Sequence, residues 1–395
     1  MPLKAPKIAP SARMRLLTGA EAAAHAMRQI NPDVVSVYPI TPQTPIIQTF
    51  AKFVADGETD TEIINVESEH SAMSAAVGAA QAGARTMTAT ASQGLALMIE
   101  IVYIAASMRL PIVMAVGNRA LSGPINIHCD HADSMLARDS GMVQILTENA
   151  QEAYDLMVMA PRLAEHPEVM LPVLVSQDGF TITHSAEPVS LLPDEEVRRF
   201  VGDYRIPYPL LAGEVVTQGP FAMPDYYFEI KAQQVRAMRA AAQVFDELSE
   251  AYQACSGRRY QAVEGYRLDD ADRALILMGS SAGTAKEVVD ELRAKGEKVG
   301  LAQVRLFRPF PAAALREMLT GVGAVAVLDR ALSFGGTAPL FAEVAAGLFG
   351  QTVSLSSQVY GLGGRELFPE QIAAVFHDLE STEGLEQPRF IGLRG

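Results

Sequence analysis

The chain is poor in cysteine, lacks tryptophan and has fewer basic than acidic residues. With only Cys129 and Cys255, it has neither a disulfide framework nor a four-cysteine cluster site within its 395 residues. If its chemistry needs iron–sulfur clusters, another polypeptide must carry them. A formal net charge of −14 argues against a nucleic-acid or anionic membrane partner, because both bind clustered lysine and arginine.

Long apolar runs are also missing. The longest, near Ala96 to Ser107, is interrupted by Glu100 and is too short to span a bilayer. The first residues carry positive charge but no apolar stretch of the secretory type. A hydrophobic content of 49% is typical of a globular protein. We therefore expect a soluble, cytoplasmic protein without a membrane partner.

Short β-branched runs alternate with helix-forming runs from Val34 to Arg119. This alternation is typical of a parallel sheet covered by helices, and it predicts an α/β fold. The predicted strands lie at 34–40, 62–66, 86–91 and 111–117, and the predicted helices at 44–54, 69–82 and 94–108.

The composition changes along the chain and divides it into four parts. An N-terminal arm is expected at 1–17 and a first α/β domain at 18–184. A proline-rich crossing segment with a linker helix at about 231–254 is expected to occupy 185–270. A second, smaller α/β domain follows at 271–395.

Polar residues follow each predicted strand of the first domain. The carboxyl ends of parallel strands line one crevice, where such folds bind ligands. We therefore expect a hydroxyl (Thr41), a carboxylate (Glu69), an amide (Gln93) and a guanidinium (Arg119) to converge on one site.

Two of these residues also have simpler interpretations. Glu69 stands at the start of a predicted helix, where a carboxylate can serve only as a cap. Arg119 suits a ligand carboxylate because its fork donates two parallel hydrogen bonds. It can equally form an ordinary salt bridge with Asp130 or Asp139.

Two further motifs are favoured as structural. Gly279 to Gly283 follows a strand and opens a helix, but it lacks the GxGxxG spacing and the lysine of a phosphate loop, so a plain turn is the preferred interpretation. An irregular loop at 121–140 carries four residues of metal-ligand type. Their spacing matches no zinc pattern, so we predict no metal site here and favour contact with a neighbouring subunit. They are His128, Asp130, His131 and Asp133.

Motifs spread over nearly the whole chain resemble one family, the α subunit of 2-oxoacid:ferredoxin oxidoreductases. The resemblance is greatest to the pyruvate:ferredoxin oxidoreductases built from separate subunits. The motifs are YPITPQTP (38–45), VESEHSAMSAAVGA (66–79), TASQGLALM (90–98), MRLPIV (108–113), NRALSGPINIHCDHADSMLARDSG (118–141), PDYYFE (224–229) and LFRPFP (306–311).

The resemblance implies that the first domain binds the pyrimidine of thiamine diphosphate and that the second is similar to a transketolase C-terminal domain with a role in assembly. Glu69 is then expected to hydrogen-bond N1′ of the aminopyrimidine, and Thr41 and Arg119 to hold the substrate carboxylate. These three are the implied catalytic residues. The other implied cofactor-binding residues are Tyr38, Pro39, Ile40, Ser92, Gln93 and Gly94.

The implied reaction is the coenzyme A-dependent oxidative decarboxylation of a 2-oxoacid, with pyruvate expected, to acyl-CoA and CO2. Electrons would pass to [4Fe–4S] clusters in partner subunits and on to ferredoxin, in anaerobic metabolism. The chain has no GDG…N magnesium motif, so Mg²⁺ is also expected in a partner. The implied partners are β, γ and δ-type subunits, and activity is expected only in the hetero-oligomer.

Alternatives remain open at this point. Pyruvate enzymes of this kind commonly carry an aromatic residue after RDSG, whereas this chain has Met142. The substrate is therefore alternatively an aromatic or branched-chain 2-oxoacid, such as phenylglyoxylate, with ferredoxin or NAD as acceptor. A non-catalytic assembly subunit is the competing class. A nicotinamide dehydrogenase built on the second domain is disfavoured by its missing glycine fingerprint.

Overall fold

A computed structural model describes residues 13–211, 215–379 and 388–394. Residues 1–12 of the expected N-terminal arm lie outside these ranges. The rest of the arm differs from expectation, because Arg13–Thr18 form a strand that pairs antiparallel with Ala186–Leu191. None of the helices in the described ranges has the length and apolar character needed to cross a membrane.

The first α/β unit and the segment that follows it contain eight strands and eight helices in the described ranges. In chain order they are β1 Arg13–Thr18, α1 Gly19–Ile30, β2 Val34–Val37, α2 Thr44–Ala55, β3 Glu62–Asn65, α3 Glu69–Ala82, β4 Thr86–Thr90, α4 Ser92–Ser107, β5 Val113–Asn118, α5 Ala132–Leu136, β6 Val143–Leu146, α6 Ala150–Glu165, β7 Val173–Asp178, β8 Ala186–Leu191, α7 Asp194–Val201 and α8 Pro224–Ser256.

The second α/β unit contains the remaining described elements, including a short 3₁₀ helix at Leu362–Gly364. In chain order the others are β9 Val263–Tyr266, β10 Arg273–Leu277, α9 Ser281–Ala294, β11 Val299–Val304, β12 Leu306–Arg308, α10 Ala312–Met318, β13 Ala324–Asp329, α11 Pro339–Gly347, β14 Ser354–Val359, α12 Pro369–Asp378 and β15 Arg389–Phe390.

Local sequence explains where the first elements begin. At the start of α1, the Thr18 hydroxyl accepts a hydrogen bond from the Glu21 backbone N–H at 3.2 Å, and the Glu21 carboxylate accepts one from the Thr18 N–H at 2.8 Å. This is the capping box that the sequence predicts. Strands β4 and β5 are buried along their whole length, which explains their continuous β-branched and apolar sequence.

The first sheet has seven strands in the order β12-β6-β7-β5-β4-β2-β3. All neighbours are parallel except β12, which runs antiparallel to β6. One apolar cluster includes α1, α2 and α6 on one face of this sheet, and another includes α3 and α4 on the other. The second sheet has six strands in the order β15-β14-β13-β10-β11-β9, with only β9 antiparallel. The predicted α/β fold is confirmed.

The two units are joined more closely than the sequence indicates. The run from Lys298 to Pro311 is expected to form one strand, but it divides at Arg305 into β11 in the second sheet and β12 in the first. Arg305 is buried and donates to the Glu152 and Glu264 carboxylates at 2.6 and 2.7 Å. This ion cluster fixes the point where the chain crosses between the sheets.

The segment expected at 185–270 is more regular than its proline content predicts. It contains β8 and α7, and its helix α8 begins at Pro224 instead of near Lys231. Strand β9 lies before residue 271, yet it pairs with β11 in the second sheet.

Candidate active site

The adjacent strands β5, β4, β2 and β3 place the predicted residues on one edge of the first sheet. Because these strands are parallel, their carboxyl ends lie side by side. The structure brings Arg119 into contact with Thr41, and Glu69 into contact with Gly94. The two pairs are linked through Asp133, which binds backbone groups at the ends of β4 and β5.

Glu69 is not needed as a helix cap. The Ser68 hydroxyl accepts a hydrogen bond from the Ser71 backbone N–H at 3.2 Å, and the Glu67 carboxylate accepts one from the Ser71 hydroxyl at 2.5 Å. Glu69 itself is buried, with 8% of its surface exposed, and no group in the described ranges hydrogen-bonds to its carboxylate. The cap is provided by its neighbours, so the Glu69 carboxylate is free to bind something else.

Gly94 explains how the Glu69 side chain fits beside α4. A Cβ atom at residue 94 would lie 2.8 Å from both Cγ and Oε1 of Glu69 and closer still to the Thr90 hydroxyl, so only glycine is accommodated. The Thr90 hydroxyl oxygen is buried and has no hydrogen-bond partner in the described part of the chain. Two oxygen-bearing side chains therefore lie at this point with hydrogen-bonding capacity unused.

The turn from Tyr38 to Thr41 is held from below by Gln43, a residue that the sequence analysis does not single out. Gln43 is fully buried, and its side-chain amide donates to the Ala89 carbonyl at 3.2 Å while accepting from the Ile40 N–H at 3.4 Å. Gln43 thus fixes the end of β2 relative to β4. Thr41 remains exposed.

Arg119 is positioned by two backbone carbonyl groups. Its Nη1 donates to the Thr41 oxygen at 3.0 Å and its Nε to the Asn126 oxygen at 3.1 Å. Asp130 instead accepts from the Ala132 N–H, and Asp139 lies near Arg138, so neither forms the salt bridge considered from the sequence. Nη2 has no partner among the described residues, and it is available to an anionic ligand.

Gln93 and Ser92 are more closely engaged than predicted. The Ser92 hydroxyl lies 2.6 Å from the Gln93 side-chain oxygen and also 2.6 Å from the Ala120 carbonyl. Ser92 has a positive φ of 47°, an unfavourable conformation for a residue with a side chain. The amide oxygen of Gln93 is therefore directed to Ser92, and its NH₂ group has no partner among the described residues.

Asp133 is the residue whose role the sequence analysis misses. Its Oδ2 accepts from the Ser92 and Arg119 backbone N–H groups at 2.9 and 3.0 Å, and its Oδ1 accepts from the Asn118 side chain at 2.8 Å. Complete burial raises its pKa to about 6, against the lowering effect of these hydrogen bonds. Its position among residues of metal-ligand type concealed this role. The structure shows a clamp that holds the ends of β4 and β5 together.

Asp130 and His131 of the 121–140 loop contact the second α/β unit of the same chain, because Asp130 accepts from the Gly363 N–H and the His131 N–H donates to the Arg330 oxygen. Contact of the loop with a neighbouring subunit stays a prediction. His131 Nε2 lies 2.8 Å from the Asp178 carboxylate, which also accepts from Arg330 at 2.8 Å. Burial raises the pKa of Asp178, but His131 and Arg330 more than offset this effect and hold it well below its ordinary value. Potential ligand atoms of Cys129, His131 and Asp178 lie within 4.8 Å of one another, but the arginine already neutralises this carboxylate.

The turn that begins at Gly279 binds an anion from its own chain. The Ser280 backbone N–H and hydroxyl donate to Asp178 at 3.1 and 2.6 Å, and a Cβ at residue 279 would lie 2.9 Å from that carboxylate. The Asp178 carboxylate occupies the position that an external phosphate would take. The structure therefore agrees with the interpretation as a plain strand-to-helix turn.

Comparison with known proteins gives matches over most of the chain. Residues 25–250 match the family described as pyruvate flavodoxin/ferredoxin oxidoreductase, thiamine diphosphate-binding. Residues 271–372 match pyruvate:ferredoxin oxidoreductase core domain II.

Two relatives cover nearly the full length. Pyruvate synthase subunit PorA of Thermotoga maritima is 56% identical over 382 residues, which are 96% of this chain and 97% of that protein. Ketoisovalerate oxidoreductase subunit VorA of Pyrococcus abyssi is 41% identical over 372 residues, which are 93% of this chain and 94% of that protein.

A similar solved structure is the 2-oxoglutarate:ferredoxin oxidoreductase from Magnetococcus marinus, with 2-oxoglutarate, coenzyme A and succinyl-CoA bound. It has a TM-score of 0.74 and 20% sequence identity, and the alignment covers 94% of this chain and 66% of that one. At this identity the likeness establishes a shared fold.

Proposed function

The chain belongs to the pyruvate flavodoxin/ferredoxin oxidoreductase family, and from this premise we propose that it is the α subunit of a pyruvate:ferredoxin oxidoreductase of the separate-subunit type. The reaction would be the coenzyme A-dependent oxidative decarboxylation of pyruvate to acetyl-CoA and CO2. The observation that carries this proposal is the buried Glu69 carboxylate, which lacks a hydrogen-bond partner in the described ranges and lies on the same sheet edge as Arg119.

The surroundings of Glu69 fit the pyrimidine end of thiamine diphosphate. Gly94 leaves the space that a Cβ would fill, and the Glu69 and Thr90 oxygens beside it are free to bind donors on a ring. Thiamine diphosphate, when bound, supplies an electron sink for decarboxylation of a 2-oxoacid. Glu69 would hold a proton at the ring nitrogen N1′, and the Tyr38–Ile40 and Ser92–Gly94 turns would flank the ring.

Arg119 and Thr41 would bind the carboxylate of the 2-oxoacid. Two of the three guanidinium nitrogens of Arg119 are held by carbonyl groups, so the free Nη2 has a fixed direction. Arg119 supplies the positive charge, and the exposed Thr41 would add a hydroxyl donor. A fixed donor fork binds a carboxylate with less loss of side-chain entropy than a mobile one.

Partner subunits would complete the enzyme. The two relatives described above are named as subunits, which supports a hetero-oligomer. In it, β, γ and δ-type chains would carry Mg²⁺ and the [4Fe–4S] clusters. Electrons would leave through those clusters to ferredoxin, and coenzyme A would accept the acyl group. Cys129 is poorly suited to bind a cluster, because its thiol is buried and burial raises its pKa well above the ordinary value.

Pyruvate is preferred over a bulkier substrate for two reasons. The identity is 56% to the pyruvate synthase subunit of Thermotoga maritima, and among the subunits of Pyrococcus abyssi it is 43% to pyruvate synthase and 41% to the ketoisovalerate enzyme. Met142, on which the alternative of an aromatic or branched-chain 2-oxoacid depends, is fully buried in the apolar cluster that contains residues of α3 and α4. Its thioether therefore does not line an open crevice.

The test is reduction of a viologen dye by the co-purified complex, with coenzyme A, over a panel of 2-oxoacids. We expect pyruvate to give the highest kcat/KM, with 2-oxoisovalerate and phenylglyoxylate well below it. A panel led by either of those acids would overturn the substrate assignment. Failure of every 2-oxoacid to reduce the dye, with thiamine diphosphate and Mg²⁺ supplied, would overturn the enzymatic function itself.

A further inference from the structure

The loop that follows Arg119 carries one of the two carbonyl groups that orient its side chain. The loop is closed at its base by a hydrogen bond from the Ala120 N–H to the His128 oxygen at 3.0 Å. Within it, the Asn126 oxygen accepts from Arg119 Nε at 3.1 Å. The position of the Asn126 backbone therefore affects where the Arg119 guanidinium points.

Residues Gly361–Gly364 of the second α/β unit, here called the glycine turn, bind this loop directly. The Asn126 side-chain amide donates to the Gly363 oxygen at 3.0 Å. The Gly364 N–H donates to the Cys129 oxygen at 2.7 Å, and the Gly363 N–H donates to the Asp130 carboxylate at 3.3 Å. These three hydrogen bonds attach the loop to the second α/β unit.

The contact is so close that it requires glycine. Gly363 and Gly364 have φ angles of 60° and 81°, in the left-handed region. A Cβ at residue 363 would lie 2.5 Å from the Asn126 amide nitrogen, and a Cβ at residue 364 would lie 2.3 Å from the Cβ of His128. Because the His128 Cβ is bonded to the main chain, the second clash can be relieved only by moving backbone.

The glycine turn is itself rigidly placed. Arg330 donates through Nε to the Gly361 oxygen at 3.3 Å and through Nη1 to the buried Asp178 carboxylate at 2.8 Å. The Arg330 oxygen also accepts from the His131 N–H at 2.8 Å. The turn and the base of the loop are thus tied to the same buried ion pair.

We propose that the glycine turn is a positioning element for the substrate site: it holds the Asn126 backbone in place and so sets the direction of the Arg119 guanidinium toward the 2-oxoacid carboxylate. This inference rests on the proposed function. It gives the second α/β unit a role in substrate binding beyond the assembly role implied by the resemblance. Two strands, β4 and β2, lie between the strand that precedes Arg119 and the strand that precedes Glu69, so cofactor binding should be unaffected by this contact.

The decisive comparison is between Gly364→Ala and Gly350→Ala in the reconstituted complex. Gly350 has nearly the same conformation, with φ 83°, but no atom lies within 4 Å of its virtual Cβ. Both variants bear the strain of a left-handed alanine, and only Gly364→Ala displaces the loop. We expect Gly364→Ala to raise the KM for the 2-oxoacid about tenfold, the size expected when a hydrogen bond to a charged group is lost.

The same variant should leave the KM for coenzyme A and the activation by thiamine diphosphate as in wild type. General destabilisation would lower the active fraction and thus kcat, but it would not raise the KM for one substrate alone. Equal 2-oxoacid KM values for Gly364→Ala and Gly350→Ala would overturn the proposal.

Asn126→Ala provides a second test, which decides the question if Gly364→Ala fails to assemble. It removes the hydrogen bond to the Gly363 oxygen and the one that Asn126 Oδ1 accepts from the His128 N–H within the loop, and it leaves the glycine turn unchanged. A severalfold increase in the KM for the 2-oxoacid supports the positioning role, and an unchanged KM overturns it. The proposed function fails separately, because in that case the wild-type complex oxidises no 2-oxoacid.

Discussion

The two α/β units use the same edge of their sheets in opposite ways. Each places polar residues after the carboxyl ends of parallel strands. In the second unit, Ser280 and Arg330 bind the Asp178 carboxylate, and the Asp329 carboxylate accepts from the N–H groups of Leu340 and Phe341 at 2.7 and 3.0 Å. In the first unit, Glu69 and Nη2 of Arg119 have no hydrogen-bond partner in the described ranges.

This difference shows that fold and residue type do not by themselves identify a site. A helix N-terminus favours anions in both units, but in the second unit the anion is Asp178 of the same chain. Buried amide and hydroxyl groups without a partner occur in the described parts of both units, with Gln303 and Ser357 among them in the second. What distinguishes the first edge is unused hydrogen-bonding capacity on two charged, positioned side chains, Glu69 and Arg119. Burying such a group without a partner costs free energy, and a bound ligand supplies the missing partner.

The strongest test of this comparison replaces the free carboxylate. Glu69→Gln keeps the shape beside Gly94 but removes the charge, and we expect kcat of the complex to fall about 10²- to 10⁴-fold, as for loss of a proton-transfer group. Glu67→Gln is the matched control, because Glu67 lies on the same turn, is exposed and binds only Ser71. Near-normal turnover of Glu69→Gln would favour the non-catalytic assembly subunit.

The next test removes the Asp178 carboxylate, which binds Ser280 and Arg330 of the second unit. Asp178→Ala leaves Arg330 and His131 buried without their partner, and we expect a loss of about 3–5 kcal/mol in the free energy of unfolding. Denaturant titration of the complex measures it. Glu250→Ala, which breaks an exposed pair with Arg259, should cost less than about 1 kcal/mol. Equal effects of the two variants would mean that the buried ion pair does not hold the units together.

A smaller effect is expected from changing the cation of the first edge. Arg119→Lys keeps the charge but loses the fork, and we expect kcat/KM for the 2-oxoacid to fall about 10- to 100-fold. Steady-state kinetics of the complex measure this, with Arg199→Lys as the exposed control. Unchanged kinetics would remove Arg119 from the substrate site.

The smallest effect concerns Asp133, which holds the ends of β4 and β5 together. Burial raises the pKa of Asp133 from its ordinary value of 3.8 to about 6, so between about pH 4 and pH 6 the folded chain binds a proton that the unfolded chain has released. Its contribution to stability therefore falls as the pH rises through this window, by at most about 1.4 kcal/mol per pH unit.

Asp133→Asn should abolish this component. We expect the unfolding midpoint of the variant, measured between pH 4 and pH 6, to rise with pH more steeply than that of wild type. Parallel pH profiles for the two proteins would show that Asp133 does not titrate in this range.

The sequence predicts the first edge well because its residues stand at strand ends, and alternation alone locates those ends. Glu69 and Arg119 are placed at this edge in this way, and their roles there stay predictions. The supports of the site are not found, because they depend on contacts between distant residues. Asp133 binds Ser92 across 41 positions, and no local pattern relates the two.

The same reason explains which contacts of the second unit the sequence does not predict. The carboxylate that fills the turn at Ser280 comes from Asp178, 102 positions earlier. Strand β12 pairs with β6 in the first sheet, and the preceding Arg305 binds Glu152 of α6 and Glu264 of β9. These hydrogen bonds and ion pairs form only when the two sheets pack together. The periodicity of one sequence segment therefore cannot predict them.

The most direct test is a structure of the assembled complex with thiamine diphosphate and a 2-oxoacid bound. We predict that the aminopyrimidine ring lies against Gly94 with N1′ within hydrogen-bonding distance of Glu69, and that the substrate carboxylate contacts Nη2 of Arg119. A ring bound away from Glu69, or enclosed entirely by another subunit, would contradict the assignment of this sheet edge as half of the active site.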